Sequence, residues 1–256
     1  MDCVIPIFVN NSLKNISYLI QINTTQAWCI DPTNFDSIYL ELSKRKLELV
    51  GIINTHSHID HIGGNEELSK KYNCNIYAPI NSHIQNSIEI NEDEILRLGD
   101  SLSLQAISTP GHMFIHFSYL LFHNLTPLGI FSGDSLFVAG IGNCRGGSVE
   151  LAYKTITKVY SNLPKKVNIY SGHNYTQTNI EFARYVGIKN SILDEIENRC
   201  KSNILVFTTL EEEFIINPFF NLQNNNIIRR IEEKTKRNVK EEFEVFRNLR
   251  FLRDNW

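Results

Sequence analysis

In the stretch "THSHIDHIGGN", His56, His58, Asp60 and His61 crowd within six positions. Donors at that density cost free energy if buried unpaired, so they need a common partner. An extended backbone sends His56 and His58 to the same side. Asp60 and His61 are adjacent, and a turn into a following helix redirects them to a second position. Three more candidates stand alone downstream: His112, Asp134 and His173. Seven nitrogen and oxygen donors exceed the four of a closed tetrahedral zinc site. Asp134 has two carboxylate oxygens and can bridge two ions. The set suggests a two-metal centre, with a water or hydroxide between ions about 3.5–4 Å apart.

The elements that must position these residues share one pattern. His56 follows "VGIINT", His112 follows "LQAISTPG", Asp134 follows "LGIFSG" and His173 follows "VNIYSG". Each is an apolar, strand-like run that ends in small turn residues and then presents a ligand type. One Gly-His or Gly-Asp pair is an ordinary turn; four around one His-rich cluster predict strand ends meeting at a sheet rim. "SYLIQI", "AWCIDP", "CNIYAP" and "FSYLLF" add further strands, and the opening "MDCVIPIFVN" also reads as strand. "DSIYLELSKRK" and "NEELSKKY" have helical spacing, with Asn65 expected to cap the second. Mixed strands and helices predict a layered α/β architecture with two sheets.

The whole chain sets limits. Its 256 residues can bury a core as one large domain or two smaller ones. Twenty-five basic against 28 acidic residues give a net charge of -3, which offers no electrostatic case for nucleic acid or an anionic membrane. Five scattered cysteines without CxxC spacing argue against a disulfide framework and for a reducing compartment. No basic leader with a sustained apolar segment opens the chain, and no apolar run approaches the roughly 18 residues of a membrane span. The expected address is the cytoplasm.

After "GHNYT" the composition turns helical. "TNIEFARYVG", "SILDEIENRC" and "VKEEFEVFRNLRFLRDNW" read as helices, and "NLQNNN" as a low-complexity loop. Thr209 with Glu212 forms a capping-box pattern, and Pro218 should end that short helix. Val245, Leu249, Leu252 and Trp256 recur at helical spacing and should pack against the first domain. Arg250 and Arg253 share another edge; on periodicity alone they are a solvated basic face at a helix C-terminus.

The order THxHxDH, then lone His, lone Asp and lone His, resembles the signature of the metallo-β-lactamase fold. "SLFVAGIG", "SGHNYT", "EEEFIINPFF" and "LRFLRDNW" make the resemblance closest to glyoxalase II, the hydroxyacylglutathione hydrolases. It implies an α/β, αββα sandwich over residues 1–174 and a helical substrate-binding domain over residues 175–256. By motif, His56, His58 and His112 would hold one metal, Asp60, His61 and His173 the other, and Asp134 would bridge. Two divalent ions are implied, zinc first, with iron or manganese as alternatives. Arg145, Tyr175, Arg250 and Arg253 would bind glutathione, the two helical arginines at its glycine carboxylate. The sequence departs from the family in two places. "GHMFIH" puts Met113 and Ile115 where GHTxGH is usual, leaving His116 as a packed histidine. Asn143 and Arg145 stand where many relatives carry Lys and Tyr.

The implied reaction is hydrolysis of S-D-lactoylglutathione to glutathione and D-lactate, the second step of methylglyoxal detoxification. Hydroxide between the metals would attack the thioester, with Asp60 and Asp134 serving it. The expected protein is a monomer or weak oligomer with a small-molecule substrate, acting without nucleic acid or membrane. The alternatives are a glutathione persulfide dioxygenase with a single iron, a superfamily nuclease, or a non-catalytic metal-binding module.

Overall fold

The computed structural model describes residues 3–202 and 205–256; Met1 and Asp2, which open the first expected strand, lie outside them. The chain divides into two compact units that interleave in sequence. The first comprises residues up to Ser108, then Ile115–Gly133 and Tyr170–His173; the second comprises Thr109–Phe114, Asp134–Ile169 and Asn174–Trp256.

In the first unit, strands β1 (Val4–Phe8), β2 (Ile16–Gln21), β3 (Gln26–Ile30), β4 (Glu48–Ile53), β5 (Asn75–Pro79) and β6 (Ser87–Ile90) form one sheet in that order. β1, β2 and β3 pair antiparallel, whereas β3 to β6 pair parallel. Helices α1 (Phe35–Arg45) and α3 (Asn65–Tyr72), with the short α2 (Ile59–Ile62) leading into α3, are the crossovers that make β3–β4 and β4–β5 parallel, whereas residues 80–86 join β5 to β6 without a helix. Asn34 caps α1 by accepting the Ser37 N–H, and Lys46 ends it in the left-handed conformation. Ile38 and Leu42 of α1 and Leu68 of α3 bury against Ile5, Leu19, Leu49 and Ile52 of the sheet. Asn65 does not cap α3. It sits inside the first turn, exchanging side-chain hydrogen bonds with buried Asn54 at 2.7 and 3.3 Å. A tertiary partner has displaced the local one.

A second sheet runs β13 (Asn168–Ser171), β10 (Thr126–Gly133), β9 (Phe117–His123), β8 (Leu102–Ser108), β7 (Ile95–Arg97). Every strand expected from apolar runs is present; β6 and β7 were not foreseen, because their exposed residues leave no apolar run. The two sheets face each other. Tyr18 of β2 packs edge-on against Phe131 of β10 at 5.3 Å and donates its hydroxyl to the Ser171 carbonyl. Tyr119 of β9 donates to the Asn54 carbonyl at 2.8 Å.

The second unit carries the hairpin β11 (Leu136–Phe137)–β12 (Gly140–Ile141), helix α4 (Val149–Lys154), and α5 (Thr176–Val186), α6 (Ser191–Ser202), α7 (Leu210–Ile216), α8 (Asn225–Thr235) and α9 (Glu242–Asp254). Thr209 and Glu212 form the expected capping box, and α7 stops before Pro218. The supposed loop Asn221–Asn226 is shorter than expected: Asn224 caps α8, and Ile227 and Ile231 bury its apolar stripe. On α9, Val245 and Leu249 are buried while Trp256, beyond the helix end, meets Phe182 edge-on and Tyr185 at a tilt. Phe246 of α9 meets Tyr153 of α4 at 5.5 Å.

Glu213 of α7 is wholly buried and accepts hydrogen bonds from the Ala139 N–H, the Thr208 hydroxyl and the Asn217 amide at 2.7–2.9 Å. Burial pushes its carboxyl up to about 7, although all three donors favour the ionised form. The folded state therefore binds more protons than the unfolded chain between its ordinary 4.5 and about 7. Stability from this group is full below that window and is lost as pH rises through it, by about 3 kcal/mol at most. Glu213→Gln removes this titration. Urea unfolding of both proteins at pH 5 and 7.5 should show the wild-type advantage shrinking at the higher pH; an unchanged difference contradicts the assignment.

Candidate metal centre

Parallel pairing makes strands β3 and β4 end side by side, and ligands gather at such carboxyl ends. Asp31 follows β3 with a left-handed φ of 49°, its N–H bonded to the Ile53 carbonyl at the end of β4. There its carboxylate accepts the Thr55 N–H at 2.8 Å, the Thr55 hydroxyl at 2.6 Å and the His61 Nδ1–H at 2.9 Å. The Thr55 oxygen in turn accepts from His56 Nδ1 at 2.9 Å. Asp31 groups with His56 and His61 by distance, but its oxygens are committed to these donors, so it orients ligands rather than serving as one. The sequence reading missed it; the signal was the aspartate closing "AWCIDP", which obeys the same strand-end rule as the ligands.

With Nδ1 protonated and bonded, Nε2 of His56 and His61 carries the free lone pair. His56 Nε2 lies 3.1 Å from His58 Nδ1. His61 Nε2 lies 3.2 Å from His173 Nε2, and Asp60 Oδ2 lies 3.6 and 3.4 Å from those two nitrogens. Ligand atoms of a tetrahedral ion with bonds of about 2.1 Å are roughly 3.4 Å apart, so Asp60, His61 and His173 fit one divalent cation. His173 follows β13 and donates Nδ1–H to the Leu13 carbonyl at 2.8 Å. Asn15 donates to both the carboxylate and the carbonyl of Asp60, at 2.8 and 3.2 Å. Asn15 and Leu13 are further positioning residues that no motif announced. His116 is buried with its ring 5.0 Å from that of His56, as a packed histidine.

In the second unit His112 and Asp134 form the remaining pair, with Nε2 to Oδ2 at 3.5 Å and both residues buried. His112 Nδ1–H donates to the Asn143 carbonyl at 2.8 Å. The Met113 and Ile115 departures leave the loop intact because its bonds are backbone ones: Gly111 N–H to Met113 O, Phe114 N–H to Gly146 O and Ser148 N–H to Gly111 O. Gly133, just before Asp134, has φ 49°, and a Cβ there would crowd Thr55 and His116.

The four residues expected to bind glutathione all lie in the second unit and differ sharply in access. Arg145 is exposed; Tyr175 is half-buried against Phe137. Arg253 is half-buried, donates to Asn179 Oδ1 at 3.4 Å and lies over Phe182 and Trp256. Burial and the neighbouring Arg250 lower its guanidinium below the ordinary range. Arg250 is not the open fork expected. It is only 4% exposed and donates to the Ile141 and Gly142 carbonyls at 3.0 and 3.2 Å, with Asp254 at 2.8 Å.

Removing the Asp31 carboxylate strands the Thr55 and His61 donors in the interior. Each buried unsatisfied group costs about 1–3 kcal/mol, so Asp31→Ala should destabilise even metal-stripped protein by several kcal/mol. Asp31→Asn, which keeps one acceptor oxygen, should lose less. Urea unfolding in chelator checks this; equal losses for the two variants would show that the acceptors do not matter.

A family model described as the metallo-beta-lactamase superfamily matches residues 16–173, and one described as the hydroxyacylglutathione hydrolase C-terminus matches residues 174–256. The hydroxyacylglutathione hydrolase of Nitrosococcus oceani is 32% identical over 96% of this chain and 97% of its own. That of Saccharophagus degradans is 33% identical over 98% and 95%. Among solved structures, ETHE1 from Myxococcus xanthus superposes with a TM-score of 0.67 at 23% identity, covering 98% of this chain and 97% of that one; at this identity it shows the metallo-β-lactamase fold alone. With both family models and near-complete sequence matches in agreement, the chain belongs to the hydroxyacylglutathione hydrolases, the thioester hydrolases of the metallo-β-lactamase superfamily.

Proposed function

We propose that this protein hydrolyses S-D-lactoylglutathione and related 2-hydroxyacylglutathione thioesters to glutathione and the free hydroxy acid. The supporting observation is the donor set itself. Asp60, His61 and His173 stand at ligand–ligand spacing, and His56, His61, His112 and His173 each have Nδ1 bonded to an oxygen acceptor, leaving Nε2 for a metal.

In this reading His56, His58 and His112 would hold one divalent ion and Asp60, His61 and His173 the other, with Asp134 available to both. Zinc is the first choice, and iron or manganese suit the same donors. Two such ions supply a water acidic enough to ionise near neutral pH and a Lewis acid for the thioester carbonyl. The chain's residues do the rest. Asp31 and the Leu13 and Asn143 carbonyls hold the imidazoles in one tautomer. Asp60, fixed by Asn15, keeps its second oxygen available to orient the attacking water. A thiolate with a reference pKa of about 8.5 leaves without a dedicated acid, consistent with the lack of one among these residues.

Residues 1–174 supply this chemistry and residues 175–256, with Arg145, the substrate grip. Arg253 and Tyr175 are the family-matched contacts for glutathione, Arg253 at its glycine carboxylate. Arg250 is matched too, but its Nη1 and Nη2 already have protein partners. All five cysteines are free thiols, which supports the cytoplasm as the working compartment. No helix among the described residues is long and apolar enough to cross a membrane.

Purified protein should release thiol from S-D-lactoylglutathione without consuming oxygen, and should carry close to two metal ions per chain. Asp134→Ala should lose metal and nearly all turnover while the circular dichroism of the helices is retained. Oxygen uptake with glutathione persulfide, without thioester cleavage, would assign the site to a dioxygenase instead.

Arg253→Ala tests the grip separately. A carboxylate contact remote from the reacting carbon holds ground and transition states alike, so KM should rise with kcat nearly constant. Losing a charged hydrogen bond of about 1.5–3 kcal/mol lowers kcat/KM about 10- to 150-fold. A thioester lacking the glycine carboxylate should show almost no difference; equal losses on both substrates would make Arg253 structural.

A further inference from the structure

The geometry points to Arg250 as a positioning residue for His112, acting through the backbone of Ile141–Asn143. This rests on the proposed metal role of His112 but not on which thioester is cleaved. Three successive carbonyls carry the argument. Those of Ile141 and Gly142 accept from buried Arg250 Nη1, and the next, Asn143, accepts from His112 Nδ1 at 2.8 Å. Gly142 is wedged between them: a Cβ on it would overlap the Asp134 carbonyl oxygen and come within 3.2 Å of His112 Nδ1. The segment therefore has little room to shift without moving His112 or Asp134.

The hairpin leading into it is held from the same side. Glu213 takes the Ala139 N–H, Asn217 donates to the Gly140 carbonyl at 3.1 Å, and Asn179 donates to the Val138 carbonyl at 3.0 Å. Ala139 has φ 54°, a conformation non-glycine residues rarely keep without such anchors. Arg250 closes the series. Asp254 holds its other nitrogen and the Phe219 ring lies under its guanidinium at 5.7 Å. At 4% exposure, Arg250 is held by its two carbonyl hydrogen bonds, the Asp254 ion pair and the Phe219 ring, which fix it against the Ile141–Gly142 backbone. Its Nε is buried and has no hydrogen-bond partner among the described residues.

Loss of a group that orients a ligand histidine typically weakens metal binding 10- to 100-fold. The test uses full-length holoprotein. Arg250→Met keeps the stem and removes the donors; Arg250→Lys restores one charge; Asp254→Asn loosens the far end at a less buried position. Three readings are taken: the rate at which a chelator strips metal, solvent exchange of the His112 Nδ1–H by NMR in the zinc form, and the kcat and KM pair. Arg250→Met should release metal 10- to 100-fold faster, with faster Nδ1–H exchange and a fall in kcat on substrates with or without the glycine carboxylate. Arg250→Lys should recover part of this, and Asp254→Asn should show a several-fold version. Arg253→Ala should leave metal release at the wild-type rate. If Arg250→Met does not fold, the Lys and Asn variants decide. Wild-type metal release and Nδ1–H exchange in the folded variants, with KM raised only for substrates bearing the carboxylate, would overturn the positioning role and make Arg250 a substrate clamp. Absence of lactoylglutathione turnover would refute the proposed substrate while leaving the metal-release comparison fully interpretable.

Discussion

An imidazole can present Nε2 to a cation only while its proton sits on Nδ1, and an oxygen acceptor must hold it there. That requirement governs the architecture. His56 takes Thr55 Oγ1, His61 takes Asp31, His173 takes the Leu13 carbonyl and His112 takes the Asn143 carbonyl. Each acceptor is a strand end or loop distant from, or just before, its histidine. In the first unit the sheets bring the ends bearing His56, His61 and His173 together, and in each unit the acceptors favour one tautomer.

Left-handed backbone also occurs at three points beside these residues. Asp31 is left-handed, so that its carboxylate turns toward Thr55 and His61 instead of continuing β3. Gly133 is left-handed where a side chain would crowd Thr55 and His116. Ala139 is left-handed beneath Glu213. At the non-glycine residues Asp31 and Ala139 such conformations cost of order 1–3 kcal/mol each and persist where surrounding bonds over-determine them. Here the bonds are visible, and a buried carboxylate supplies each set.

The candidate ligands were legible because metal binding would demand particular residue types, and strand-end spacing makes those types conspicuous. Their supports were not, because a support can be any atom of the right polarity. Leu13 contributes a carbonyl, which no side-chain pattern reports. Asn65 looked like a cap, yet Asn54 offered it two buried hydrogen bonds in place of the solvent-competed local one. The Asn221–Asn226 run looked featureless, but Asn224 is a cap and its neighbours begin α8. Arg250 and Arg253 looked equivalent at a spacing of three. Burial separates them: Arg250 follows Leu249 onto the inner face, where carbonyls more than a hundred positions upstream await it. Periodicity reports which face a residue occupies, not what a distant segment presents to that face.

The departures from the family pattern fit the same division between backbone and side-chain roles. Asn143 stands where many relatives carry lysine, yet its part in orienting His112 is played by its carbonyl, which any residue supplies. Its side chain turns back to accept the Arg145 N–H at 3.1 Å. Position 143 thus carries no cation here, and the cation two residues on, Arg145, is exposed. Met113 is accommodated likewise, since its carbonyl and not its thioether closes the loop onto Gly111. Where a role belongs to the main chain, the side chain is free to vary. The side chain at 143 can therefore vary while the oxygen that accepts from His112 stays in place.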